Sequence, residues 1–223
     1  MKSFNFRATP AIVIAMIATG CGDDDDPGPQ TPVISDIVEL TASTPSGSTF
    51  AIYREKAPDI ILNAPGAQVD LSRIKIGESL LATYTMADGG DAGRSGDINL
   101  RSYYAINNST LVKGDIADFP EWDKDEVYLI SIWRAGNKID LRCKLTYDPT
   151  PRTFMMLLDE STAGNPVPDL YLVHQLQQPV ESFDRNYYAA FDIDSLWEQT
   201  ACEGVTIHIA NRNLPQREYR FLK

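Results

Sequence analysis

The 223 residues predict an all-β protein built as two consecutive β units. Three observations point there. Apolar and polar residues alternate with period two from Ile34 onward, and β-branched and aromatic side chains fill those runs. Clusters of Gly, Pro, Asn and Asp separate the runs, and no long amphipathic helix interrupts them. Once the N-terminal leader and its tether are set aside, about 190 residues remain, enough for one large domain or two small ones. The strands fall into two groups, so two is the expected count.

The leader comes first. Lys2 and Arg7 precede the apolar run Ala11-Ile12-Val13-Ile14-Ala15-Met16-Ile17-Ala18, which gives way to Thr19-Gly20-Cys21. This is the layout of a signal peptide over residues 1–20. The run is about half the roughly 20 apolar residues that crossing a bilayer core requires, so a permanent transmembrane helix is not expected. Ala18-Thr19-Gly20-Cys21 resembles the lipobox of bacterial lipoproteins, with Ala18 where leucine is usual. That resemblance implies cleavage before Cys21, lipidation of its thiol and a membrane partner reached through the acyl chains. Residues 21–33 follow as a tether, with Asp23, Asp24, Asp25 and Asp26 repelling one another and Pro27, Pro29 and Pro32 barring a helix. An acidic run in this place resembles the surface-export signal of lipoproteins in the Bacteroidota. The implied address is the outer membrane, facing outward. Consecutive aspartates on a flexible tether offer no fixed geometry for a metal.

Removing Lys2 and Arg7 with the leader takes the formal net charge from −11 to −13. Such a surface repels phosphate backbones, and nucleic acid is not an expected partner. With Cys21 acylated, Cys143 and Cys202 remain. A disulfide between them is one possibility in an oxidising compartment; the other is that Cys143, on the apolar side of an alternating strand, stays a buried free thiol.

The first unit, residues 34–114, has candidate strands at 36–42, 48–53, 59–62, 79–86 and 97–106. Asp88-Gly89-Gly90-Asp91-Ala92-Gly93-Arg94-Ser95-Gly96 supplies a long hairpin loop, since its glycines admit positive φ. Those glycines resemble a phosphate cradle, but no helix follows to present amide groups to an anion. The second unit, residues 115–223, has seven candidate strands at 127–134, 138–147, 154–158, 170–176, 187–193, 205–211 and 218–222. Their number and spacing suit a β-sandwich. Ala135-Gly136-Asn137 has the composition of a tight hairpin, and Trp133 is expected in the core. Residues 195–199 read as one helical turn capped by Asp194.

Four segments carry a family resemblance: Gly77-Glu78-Ser79-Leu80-Leu81, Asp97-Ile98-Asn99-Leu100, Ile132-Trp133-Arg134-Ala135-Gly136-Asn137 and Phe191-Asp192-Ile193-Asp194-Ser195-Leu196. They stand in the order seen in NigD-like lipoproteins of the Bacteroidota, and the resemblance spans nearly all of the chain after the leader. It implies an N-terminal OB-like five-stranded barrel followed by a C-terminal immunoglobulin-like β-sandwich. The sequence departs from the pattern after His174, where Gln175-Leu176-Gln177-Gln178-Pro179 replaces an Asn- and Gly-rich turn. The family takes its name from a bacteriocin-associated operon, and the resemblance implies no activity and no site residues.

Catalytic signatures are sparse. His174 and His208 are the two histidines, and no pair of residues has zinc-ligand spacing, so no metal site and no cofactor is expected. His208 alternates with Ile207 and Ile209 and points off the apolar face. Asp192 and Asp194 would sit about 7 Å apart on one strand face. Glycoside hydrolysis needs one such acid in a cleft with a raised pKa, and a solvated strand end fits these two better. No Gly-x-Ser-x-Gly elbow occurs, so an enzyme is not expected. Asp194-Ser195-Leu196 matches a Bacteroidota O-glycosylation sequon over three residues. The remaining inventory is aromatic, with Trp122, Trp197, Tyr103 and Tyr188 as candidates to stack on a sugar ring or anchor a protein. The expectation is an accessory module that binds an envelope protein, with carbohydrate binding through exposed aromatics as the alternative.

Overall fold

The computed structural model describes residues 31–223, which divide into two compact units, one ending at Ala105 and the other running from Ile106 to Lys223. The expected leader, the acylated Cys21 and most of the acidic tether lie outside the described residues.

The first unit is a closed barrel of β1 (Ile34–Thr44), β2 (Gly47–Ile52), β3 (Ile60–Pro65), β4 (Ser79–Met86) and β5 (Gly96–Ala105). Around the barrel the order is β1-β2-β3-β5-β4, with β4 returning to β1. Every strand therefore has two neighbours, and β1 pairs Leu40 with Phe50 on β2 and Val38 with Leu80 on β4. A register shift between Leu40 and Ala42 bends it between the two. Inward residues alternate as read from the sequence, and Leu40, Phe50, Leu62, Leu80, Tyr84 and Ile98 fill the interior. Tyr84 is the polar exception, and its hydroxyl donates to Asp36 Oδ2 at 2.9 Å.

The second unit packs two sheets face to face. Its strands are β6 (Asn107–Thr110), β7 (Val112–Gly114), β8 (Tyr128–Ala135), β9 (Lys138–Tyr147), β10 (Thr153–Asp159), β11 (Asp169–Gln175), β12 (Val180–Asp192), β13 (Gly204–His208) and β14 (Glu218–Leu222). One sheet runs β14-β13-β11-β10-β7 and the other β6-β12-β9-β8. Leu141 and Phe191 from the smaller sheet share one core with Met156, Leu172 and Ile207 from the larger. The seven strands expected here become nine. Residues 106–114 leave the barrel: β6 pairs with β12 and β7 with β10, both in parallel, and this moves the boundary upstream of the expected Gly114. Between them the chain changes sheets at Leu111, whose side chain packs on the shared core. Two strands of four and three residues leave too little periodicity to read from sequence alone.

Local register corrects two further expectations. A shift between Leu129 and Ser131 inserts a bulge into β8, so Ile132 lies opposite the buried Leu141 and Trp133 lies opposite Asp140. One extra residue exchanges the faces, and Trp133, expected in the core, falls outside the core cluster. The helical turn, α1 (Asp194–Trp197), begins one residue earlier than expected, with Ile193 at its N-cap and no side-chain cap. Gly136, at φ +60°, makes the tight β8–β9 turn as predicted.

Candidate functional site

The outer face of the larger sheet carries an aromatic column. Along β11, Leu170 and Leu172 turn into the core, so Asp169 and Tyr171 turn out; along β13, Val205 and Ile207 turn in and His208 turns out. The parallel register sets Tyr171 beside His208, and their rings stack at 4.5 Å with an interplanar angle of 13°. Trp122 meets the Tyr171 ring edge-on at 5.0 Å. His208 Nε2 lies 2.8 Å from Asp169 Oδ1, and its Nδ1 lies 3.8 Å from Glu218 Oε1 on β14. Burial, helped by Asp169, Asp159 and Glu218, raises the Tyr171 phenol above its ordinary pKa, so its hydroxyl stays protonated.

Trp122 arrives on an acidic segment containing Asp115, Asp118, Glu121, Asp123, Asp125 and Glu126. Four of these are engaged. Asp115 accepts from the Ala117 amide at 2.8 Å and starts the single 3-10 turn Ile116–Asp118. Glu121 pairs with Lys124 at 2.9 Å, Glu126 pairs with Arg217, and Asp125 Oδ2 accepts from the Leu176 amide at 2.7 Å. Asp118 and Asp123 remain exposed beside Trp122. The result is a half-buried aromatic ridge in an acidic surround. His208 and Asp169 have the pairing of a catalytic dyad, yet among the described residues no Ser, Thr or Cys is hydrogen-bonded to either histidine.

A second polar group ties loops together at the end of the sandwich. Asp148 is buried and accepts from the Gln177 amide at 2.6 Å, the Gln178 amide at 2.9 Å and the Thr150 amide at 2.8 Å, as well as from the Thr150 hydroxyl. Burial alone would raise this carboxyl; the bonds from Thr150, Gln178 and Gln177 outweigh it and hold it below the usual carboxylate range. The Gln-rich stretch that departs from the family pattern is therefore an anchored loop. Next to it, buried His174 has Nδ1 2.9 Å from the Asp125 carbonyl and Nε2 3.4 Å from Arg152 Nη1. Burial lowers its pKa, with Arg152 adding to the effect against the Asp125 hydrogen bond.

The residues singled out from sequence are dispersed. Trp197 is only 7% exposed, below Arg134 at 4.8 Å and Lys223 at 5.5 Å, and is closed to a sugar ring. Tyr103 leans on the barrel core and its hydroxyl accepts from the Asp70 amide at 3.1 Å. Tyr188 lies under Arg142 at 5.6 Å. Trp122 alone of the four joins a cluster, and its partners Tyr171 and His208 were not paired with it by any sequence spacing. Asp192 and Asp194 do not share a strand face, because β12 ends at Asp192. Asp192 Oδ1 accepts from the Asp194 amide at 2.8 Å, and Asp194 Oδ1 accepts from Asn137 Nδ2 at 2.6 Å, so both carboxylates are spent on the turn. Cys143 and Cys202 are both buried and unbridged, and burial pushes the Cys143 thiol up to about 12. On the barrel, the depression near the β1–β2 turn is lined by Thr44, Ser46, Ser48, Thr49, Asn63 and Asp97, with no aromatic or cationic side chain among its lining. An OB-type face that stacks bases needs both. Among the described residues no three His, Cys, Asp or Glu side chains converge as metal ligands, and no helix is long and apolar enough to cross a membrane.

A five-stranded OB-order barrel followed by a two-sheet sandwich defines the structural class. Solved proteins of Bacteroides species share it. A protein of unknown function from Bacteroides vulgatus aligns over 86% of this chain and 90% of its own, with a TM-score of 0.61 at 13% identity. A NigD-like immunity protein from Bacteroides caccae aligns over 84% and 90%, with a TM-score of 0.55 at 14% identity. A protein from Bacteroides fragilis with a provisional lipoprotein description aligns over 86% and 96%, with a TM-score of 0.56 at 12% identity. At these identities the likeness is one of fold. No family model matches the sequence, and no curated protein matches it.

Proposed function

We propose that this chain is a non-enzymatic, lipid-anchored envelope protein, held at the outer membrane through Cys21 and facing outward, which docks a protein partner. The observation that carries the docking role is the Trp122–Tyr171–His208 column with Asp169 and Glu218 at its border. Half-buried Trp and Tyr with a charged rim are the make-up of an interface anchor. The acidic segment around it, on a mature chain of net charge −13, favours a partner with a basic face.

The anchor and the docking role are tested separately. Cys21→Ser should abolish acylation and membrane retention while leaving both β units folded. Retention of that variant in the membrane fraction would overturn the anchor. Cross-linking on intact cells should yield one protein partner, lost on Trp122→Ala, with a blank glycan array. Saturable sugar binding that disappears with Trp122→Ala would instead establish the carbohydrate reading.

A further inference from the structure

Near the start of β12 an exposed arginine has no ion pair among the described residues. Arg185 on β12 pairs in register with Leu145 on β9, a core residue, so the two side chains project from the same face of the sheet, although Arg185 itself is exposed. Its guanidinium lies 4.3 Å from the centroid of Tyr147 and 5.3 Å from that of Phe183, and the two rings meet edge-on at 5.8 Å. The neighbouring cations are occupied: Arg212 pairs with Asp184, and Arg152 donates to the Thr146 carbonyl at 3.0 Å and faces His174. Among the described residues the Arg185 side chain makes no hydrogen bond and no ion pair, and its guanidinium faces the two rings. Phe183 is 48% exposed and stands where the register of β12 slips between Val180 and Asp184. A bulge of this kind re-aims side chains that regular pairing would hold.

We propose that Tyr147, Phe183 and Arg185 form a seat for an acidic side chain of a protein partner, separate from the aromatic column and resting on the reading of the chain as a docking module. A guanidinium fixed between rings has lost little further freedom when it binds, and its fork matches a carboxylate with two parallel hydrogen bonds. The rings add an apolar flank for the residue beside the acid. Polyanionic surfaces are poor alternatives, because attraction to an anionic bilayer calls for about four to eight clustered cations, whereas the neighbouring Arg212 and Arg152 are already engaged.

The test uses the full chain carrying Cys21→Ser, with arginine side-chain NMR as the readout. The probes are the blocked peptide Gly-Phe-Glu-Phe-Gly, its Gln counterpart, and phosphatidylglycerol vesicles. The Glu peptide should shift the Arg185 Nε–Hε resonance and bind at least tenfold more tightly than the Gln peptide. R185Q should erase that preference, Phe183→Ala should weaken both peptides while keeping it, and Trp122→Ala should leave it intact. Equal affinity for the two peptides, an unchanged preference in R185Q, or a response to vesicles alone would overturn the seat. Loss of the cell-surface partner in Trp122→Ala with no peptide preference would sink the seat and leave the docking column standing.

Discussion

Asp148 and His174 show how much of this protein's acid sensitivity rests on single buried groups. The Asp148 carboxyl is held below the usual range by bonds from Thr150, Gln177 and Gln178, so its contribution is complete above the unfolded value of about 4 and is lost as pH falls below it. His174 is held neutral by burial; below its unfolded value of about 6.5 the unfolded chain takes up a proton that the folded chain refuses. Both effects act in the same direction, with stability falling first through the pH 6.5 region and then below about pH 4. Urea midpoints measured from pH 8 to pH 3 should show both steps, and Asp148→Asn should flatten the lower one while leaving the upper. A single step at the carboxylate range would remove His174 from this account. Neither role was legible in the sequence. The Asp125 carbonyl that meets His174 lies 49 residues away, and although Thr150 is only two residues from Asp148, the Gln177 amide that completes its burial is 29 residues away, so no sequence spacing marks either role.

Among elements, strand existence was legible almost throughout and strand pairing was not. Alternation placed β1 to β5 and β8 to β14, since each buries one face. It missed β6 and β7, and the expectation that Trp133 fills the core failed because a bulge shifts the faces without changing composition. The aromatic column was missed for the same reason: Trp122, Tyr171 and His208 meet only once β11 and β13 are known to be parallel neighbours. Edge contacts carry two predictions. At Gly204, a Cβ would come within 2.4 Å of the Phe221 carbonyl oxygen on β14. Gly204→Ala should therefore cost roughly 1–3 kcal/mol and loosen the C-terminal strand, as hydrogen exchange at Tyr219 and Phe221 would report. Asn213 closes the outer edge of β8, its amide oxygen and nitrogen each 2.8 Å from the Leu129 backbone. Asn213→Ala removes both bonds, and a loss of about 1–2 kcal/mol in urea denaturation is expected.

At the scale of the whole chain, the two units differ in how they hold themselves together. The barrel closes on itself, so every strand has two neighbours and its interior is filled by Phe50, Tyr84 and aliphatic side chains. The sandwich relies on one core shared between open sheets, and Phe191 is fully buried at its middle, stacked 5.9 Å from Phe154 across the sheets. Each core belongs to a single unit, and a cavity should therefore be felt where it is made. Phe50→Ala and Phe191→Ala are each expected to cost about 3–5 kcal/mol in the unit concerned. Residue-resolved hydrogen exchange distinguishes the two. Phe50→Ala should accelerate exchange at Leu40, Leu62 and Leu80 while the amides of Leu141, Met156 and Ile207 keep their protection; Phe191→Ala should do the reverse. Uniform acceleration across both sets in either variant would mean that the chain unfolds as one cooperative body, and the division at Ala105 would then describe packing without describing stability.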